Sequence, residues 1–193
     1  MKFSTALASS VFAFTSFVNA LPGPGTVYCP AVIMPTPPVV AYPSGTAVFG
    51  LELSNQGGVA TLTKAGLESG WNFGNGGLGY PWCPTSSWLN IVDSIRPWKP
   101  LVWGSSQSTT TWKTGYSKYL TANATAAYSE SDDFLACRPL SLTAAEFAAS
   151  PKWTLFLLTD GILPTATDET LAKVSVQSCV KTKLFITSGN AII

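Results

Sequence analysis

Histidine is absent from this 193-residue chain. That absence removes the usual imidazole base of nucleophilic triads, the commonest nitrogen ligand of metals and any switch that relies on imidazole titration near neutrality. Charge is scarce as well: 11% of residues are ionisable as Asp, Glu, Lys or Arg, with 11 basic against 10 acidic side chains. So sparse and balanced a set leaves no clustered positive surface of the kind that recruits nucleic acid or an anionic membrane. Long apolar runs are missing too. No stretch reaches the roughly 18 residues of a spanning helix, and the closing LFITSGNAII is too short and too interrupted for a lipid-anchor tail. Disorder is excluded from the other side, because 46% of residues are hydrophobic and 12% aromatic.

The chain opens on MKFSTALASSVFAFTSFVNA, which has a basic start at Lys2, a short serine-broken apolar stretch, and Val18 and Ala20 where a signal peptidase reads small residues. Residues 1–20 therefore read as a cleaved secretory signal. Removing those 20 residues from 193 leaves 173, the size of one domain. Loss of Lys2 brings the mature chain to ten basic and ten acidic side chains. Export sets the reading of the four cysteines, Cys29, Cys83, Cys137 and Cys179. An even number in an oxidising compartment implies two disulfides, whereas a structural zinc site wants close ligand pairs. Three pairings are open; Cys137 with Cys179 and Cys29 with Cys83 is the preferred one, each bond contributing about 4 kcal/mol on the loop-entropy model. Asn123, followed by Ala124 and Thr125, forms one acceptor sequon for glycan in a polar stretch.

Residues 21–45 carry seven of the fourteen prolines, which predicts an extended segment that is neither helix nor interior strand. A β domain follows over residues 46–193. Alternation over 46–53 and 59–64, around a turn-rich SNQGG, reads as a β-hairpin. GWNFGNGGLGYPWCP reads as a packed loop, and short strands are expected over 88–92, 101–103, 118–122, 134–137, 153–159, 173–180 and 184–187. One helix is marked by the capping box of Thr143 and Glu146, ends before Pro151, and should cover an open end of the sheet. The fold class is thus mainly β: a compact single-domain sandwich or barrel with one short helix. A trefoil variant is suggested by a 54-residue offset that relates Cys29, Cys83 and Cys137 and superposes AVFG at 47–50 on LVWG at 101–104 and LFLL at 155–158.

Few constellations remain that could carry chemistry. The carboxylate pairs Asp132 with Asp133 and Asp168 with Glu169 lie among Ser and Thr, where solvated loop charge is the simpler reading than the acid and base of a glycosidase. Gly74, Gly76 and Gly79 match a dinucleotide fingerprint in letters only, because Pro81 and Pro84 forbid the helix that must hold the pyrophosphate. No catalytic residue, metal site or cofactor is assigned. Six of the seven tryptophans, at 71, 82, 88, 98, 103 and 112, are concentrated with Phe73, Tyr80 and Tyr116. Indoles of this kind fill a β core or, if exposed, stack on sugar rings, for which Trp71 and Trp82 are the first candidates.

The run Asp133, Phe134, Leu135, Ala136, Cys137, Arg138, Pro139, then Lys152, Trp153, Thr154, Leu155, Phe156, then Ala172 to Val176 leading to Ser178, Cys179 and Val180, resembles the end of fungal cell-wall proteins of the PhiA type. The tryptophan-rich middle has no counterpart in that pattern. The resemblance implies a wall-associated protein of fungal development with no catalytic residues to carry over. The expected function is a non-catalytic secreted protein of the wall or cell surface, with wall polysaccharide or other wall proteins as partners. A host-directed effector or toxin-like protein and a carbohydrate-binding module are the alternatives. Intact-mass and thiol-alkylation measurements on secreted material should give a chain beginning at Leu21 with no free thiol; an uncleaved leader with four reduced cysteines would overturn the export reading.

Overall fold

The computed structural model describes residues 38–43, 45–64, 72–80, 87–114, 118–124 and 130–187. The leader, Cys29, Trp71, Trp82 and Cys83 lie outside the described residues.

Strands β1 (Val39–Tyr42), β2 (Glu52–Gln56) and β3 (Val59–Thr63) open the fold. They are followed by β4 (Asn72–Gly74), β5 (Gly77–Tyr80), β6 (Ser87–Ile91) and β7 (Trp98–Gly104). A small pair, β8 (Lys113–Thr114) and β9 (Leu120–Thr121), precedes β10 (Phe134–Pro139). Helix α1 (Ala144–Ala149), β11 (Lys152–Leu158), a 3-10 turn (Ala166–Asp168), α2 (Glu169–Ala172) and β12 (Val174–Ile186) complete the chain. Every strand pairing is antiparallel. The main sheet runs β10, β12, β1, β2, β3, β11, and β10 also pairs with β11, so these six strands close on themselves. Strand β7 joins beside β11 and β3 and carries β6, β5 and β4 outward as an arm. The mainly β domain read from the sequence is therefore a barrel with an appended sheet.

The β2–β3 hairpin shows why the chain folds this way locally. Gly57 and Gly58 both have positive φ, the requirement of a two-residue hairpin turn whose twist matches its strands. The Asn55 side chain accepts the Gly58 N–H at 2.9 Å. The turn is thus only two residues, and Ser54, Asn55 and Gln56, expected in a linker, belong to the strand. The glycine-rich stretch expected as a loop is likewise a hairpin, β4 to β5, turned at Asn75 and Gly76. Gly79 has no room for a side chain: a Cβ there would lie 2.6 Å from the Trp88 ring on β6.

Two further expectations are corrected. Residues 39–42 lie inside the proline-rich segment yet form an interior strand, between β12 and β2, because four consecutive non-proline residues separate Pro38 from Pro43 and can donate to both ladders. The two strands expected at 173–180 and 184–187 are one 13-residue strand, since Lys181, Thr182 and Lys183 contain no turn former and continue the alternation. The 54-residue offset has no architectural meaning: residues 47–50 form a turn, while its supposed equivalents lie in the adjacent strands β7 and β11.

Inside the barrel pack Val39, Ala41, Leu53, Leu62, Phe134, Ala136, Trp153, Leu155, Leu157 and Leu184. Leu89, Leu101, Trp103 and Trp112 continue that core into the arm. Strands β10 and β11 are covered on their other face too, where Leu135, Cys137, Phe156 and Leu158 pack with Trp98 and Val174. Each buried aliphatic or aromatic side chain contributes roughly 1.5–3 kcal/mol. Helix α1 begins as expected: Glu146 N–H donates to the Thr143 hydroxyl, and the Glu146 carboxylate accepts the Thr143 N–H at 2.8 Å. Six residues of helix are marginal alone. Phe147 anchors them edge-on against Trp153, with ring centroids 4.9 Å apart, at one end of the barrel.

Cys137 and Cys179 are joined, the preferred pairing for these two, and clasp β10 to β12 across a local register shift. The bond closes a loop spanning 42 positions. Replacing both cysteines by serine should lower unfolding stability by about 2–4 kcal/mol, read from urea midpoints of secreted protein. Equal midpoints would show that the ladder alone holds β10.

Candidate functional site

Alternation along β1 and β12 sorts their side chains. Val39, Ala41 and Leu184 enter the core, so Tyr42, Lys183 and Phe185 stand on the outside of the barrel wall. Tyr119 is drawn over the same surface by its bridge to Phe185. The Tyr119 and Phe185 rings lie 5.6 Å apart, Tyr42 and Tyr119 5.8 Å, and Tyr42 and Phe185 6.1 Å, at mutual angles between 39° and 67°. Phe49, from the turn after β1, adds an edge contact to Tyr42 at 6.3 Å and is 43% exposed. The other three rings are half-buried. Four aromatic side chains thus form a tilted, solvent-facing platform with two phenol hydroxyls on it.

A charged cluster borders this platform. Lys183 pairs with Asp132 at 2.5 Å and with Asp133 at 3.3 Å, and its ammonium lies 6.0 Å from the centre of the Tyr119 ring. Partial burial works against the Lys183 charge, but the Asp132 hydrogen bond and the two neighbouring carboxylates outweigh it and raise its pKa above the ordinary lysine value. Asp132 and Asp133, read as solvated loop charge, are consequently engaged at the platform edge. Their free carboxylate lone pairs and the two phenols are the polar groups available to a ligand resting on the rings.

The second carboxylate pair serves the fold. Asp168 is buried, accepts the backbone N–H and the hydroxyl of Thr165, and pairs with Arg96 at 2.5 Å. The Thr165 hydrogen bonds, together with the Arg96 guanidinium, hold its pKa below the usual carboxylate range. Glu169 accepts the N–H of Val176 at 3.1 Å. Neither residue lies in a loop: Asp168 ends the 3-10 turn and Glu169 begins α2, two consecutive helical turns that the sequence reading missed.

Of the tryptophans, Trp98, Trp103, Trp112 and Trp153 are core, and Trp88 is half-buried against the glycines of β5. Trp71 and Trp82 lie outside the described residues. Asn123 is half-buried at the end of the short β9 ladder, with its backbone carbonyl accepting the Thr111 hydroxyl at 2.6 Å. The platform itself escaped sequence reasoning because its members are spread from position 42 to 185; only the strict alternation of 183 and 185 around buried Leu184 hinted at it. No protein-family model, curated protein or solved structure matches the chain.

The linkage sign differs at the two charged sites. Asp168 has a lowered pKa, so its contribution is present above the unfolded value of about 3.9 and is lost as pH falls through the folded one. Lys183 has a raised pKa, so its contribution is present below about 10.4 and is lost as pH rises further. Asp168→Asn should therefore lower the melting temperature at pH 7 and flatten its fall below pH 4, about the unperturbed carboxylate value. An unchanged acid limb in thermal scans would exclude Asp168 as its source.

Proposed function

We propose that this chain is a non-catalytic secreted protein of the fungal wall or cell surface that holds wall polysaccharide on the platform of Tyr42, Tyr119, Phe185 and Phe49. The observation that carries this reading is the platform's composition: half-exposed rings bordered by Lys183, Asp132 and Asp133. A pyranose ring has an apolar C–H face that packs on aromatic carbon and an equatorial rim of hydroxyls that seek carboxylates and phenols. The site offers both kinds of group side by side. The carboxylates are tied to a lysine on a rigid wall, an arrangement suited to holding a sugar in one orientation. Export, the resemblance of the carboxy-terminal third to PhiA-type wall proteins and a glycan at Asn123 belong to the same reading. The Cys137–Cys179 bond is compatible with export.

Sedimentation of the secreted chain with insoluble chitin and β-glucan tests the proposal. Tyr119→Ala and Phe49→Ser, both on solvent-facing rings, should each weaken binding by about tenfold, one stacking contact's worth, while near-ultraviolet dichroism stays unchanged. Undiminished retention by both variants would move the site elsewhere. Free diffusion of the native chain from walls that lack any affinity for it would favour the host-directed alternative.

A further inference from the structure

A groove of about 770 Å³ crosses the outside of the barrel where β3, β7 and β11 meet, and none of the four platform rings lines it. Phe156, Pro100 and Val102 line it together with Leu140 and with Leu171 and Ala172 of α2, and the Leu140 N–H donates to the Lys173 carbonyl at 2.9 Å, which ties the end of β10 to the end of α2. Leu171 is 64% exposed and Leu140 50%, so two large aliphatic side chains stand in water at the edges of an apolar hollow. The volume falls within the roughly 300–1,000 Å³ of small-molecule sites, which are lined mainly by apolar groups with a few polar ones. The strands under the groove are hydrogen-bonded on both edges: β3 to β2 and β11, β7 to β6 and β11, β11 to β10 as well. A peptide strand added here would find no backbone to pair with. The occupant must be held by side chains alone.

Lys173 is the one charged member of the lining among the described residues, and it is exposed. Among the described residues no carboxylate pairs with it; its neighbour Glu169 is occupied by the Val176 N–H. Lys173 also ends α2 at φ 55° and ψ 32°, a left-handed position that glycine fills without strain. The chain instead places a cation there, in the lining of the groove, and strain of this kind is retained where the side chain has a use. The wall carrying Leu171 is fixed from behind by the Arg96 and Asp168 pair, so the groove is pre-shaped. We propose that it binds a single-chain anionic amphiphile, such as a long-chain carboxylate, with its tail over Phe156 beside Leu140 and Leu171 and its head at the Lys173 ammonium.

The test is titration of the full secreted chain with dodecanoate, dodecanol and dodecylamine below their micellar concentrations. Calorimetry and tryptophan emission report binding, the latter because Trp98 packs edge-on against Phe156 with centroids 5.6 Å apart. Dodecanoate should bind roughly fivefold more tightly than dodecanol, the scale of one exposed charge pair, and dodecylamine more weakly than either. Lys173→Gln should erase that order while leaving dodecanol affinity intact, whereas Lys113→Gln, at a distant exposed lysine, should change nothing. Leu171→Ser should weaken every ligand alike by about tenfold through lost apolar contact. Both altered residues in the groove are exposed, and matching melting temperatures verify that their variants fold. Absence of saturable binding, a carboxylate preference that survives Lys173→Gln, or unchanged affinity in Leu171→Ser overturns the proposal. So does a native dimer that Leu171→Ser dissociates, which would assign the groove to a second copy.

Discussion

Strand β10 is hydrogen-bonded to β11 along one edge and to β12 along the other, and this double engagement turns an open sheet into a ring. Everything else leans on that closure. Without the β10 to β11 pairing those two strands would present bare edges, which invite pairing between molecules. With it the six strands enclose a core supplied by alternate residues of each, and the remaining alternate residues become a continuous outer wall. The disulfide sits on the same seam, bridging the one place where the β10 to β12 register shifts. Because β10 and β11 are also packed on their outer face by Trp98 and Val174, the two cores share strands and must form together.

Ionisable groups are few, and the described ones act largely as clasps between distant parts of the chain. Arg96, in the approach to β7, holds Asp168 of the helical turns before β12. Lys183 in β12 gathers Asp132 and Asp133 from the approach to β10. Lys99 in β7 is fully buried and its ammonium donates to the Ser94 carbonyl. Asn90 does similar service without charge, accepting the N–H groups of Ser108 and Thr109 and donating to the Ser106 carbonyl, so that the loop after β7 is folded back onto β6. The Asn90 amide is retained away from water because the fold supplies partners for both its oxygen and its nitrogen.

Much of this was legible from the residues. Short apolar runs bounded by turn formers announced β6, β10 and β11, the Thr143 box announced α1, and Cys137 with Cys179 was the preferred pairing of the last two cysteines. The misreadings have physical causes. Proline counting over residues 21–45 obscured the four-residue gap that makes β1, because a strand needs only a short run of free N–H groups. Glycine clusters were weighed as loop formers, although paired positive-φ residues are what a tight hairpin demands. The aromatic platform and the Lys173 groove depend on which strands become neighbours, and no local pattern encodes that. The tryptophan concentration pointed instead to the core, where Trp98, Trp103 and Trp112 reside.

In the ring one strand, β2, separates β1 from β3 and one strand, β10, separates β12 from β11, so the two surfaces occupy different strands of the same wall. A barrel with tilted rings on one stretch of its wall and an oily trough on another carries two dissimilar surfaces. A molecule moored to sugar through the first surface would leave the second, on other strands, outside that contact. Many such molecules side by side would coat a hydrated polymer with a layer receptive to grease, the physical requirement for a wettable material to acquire a water-shedding skin.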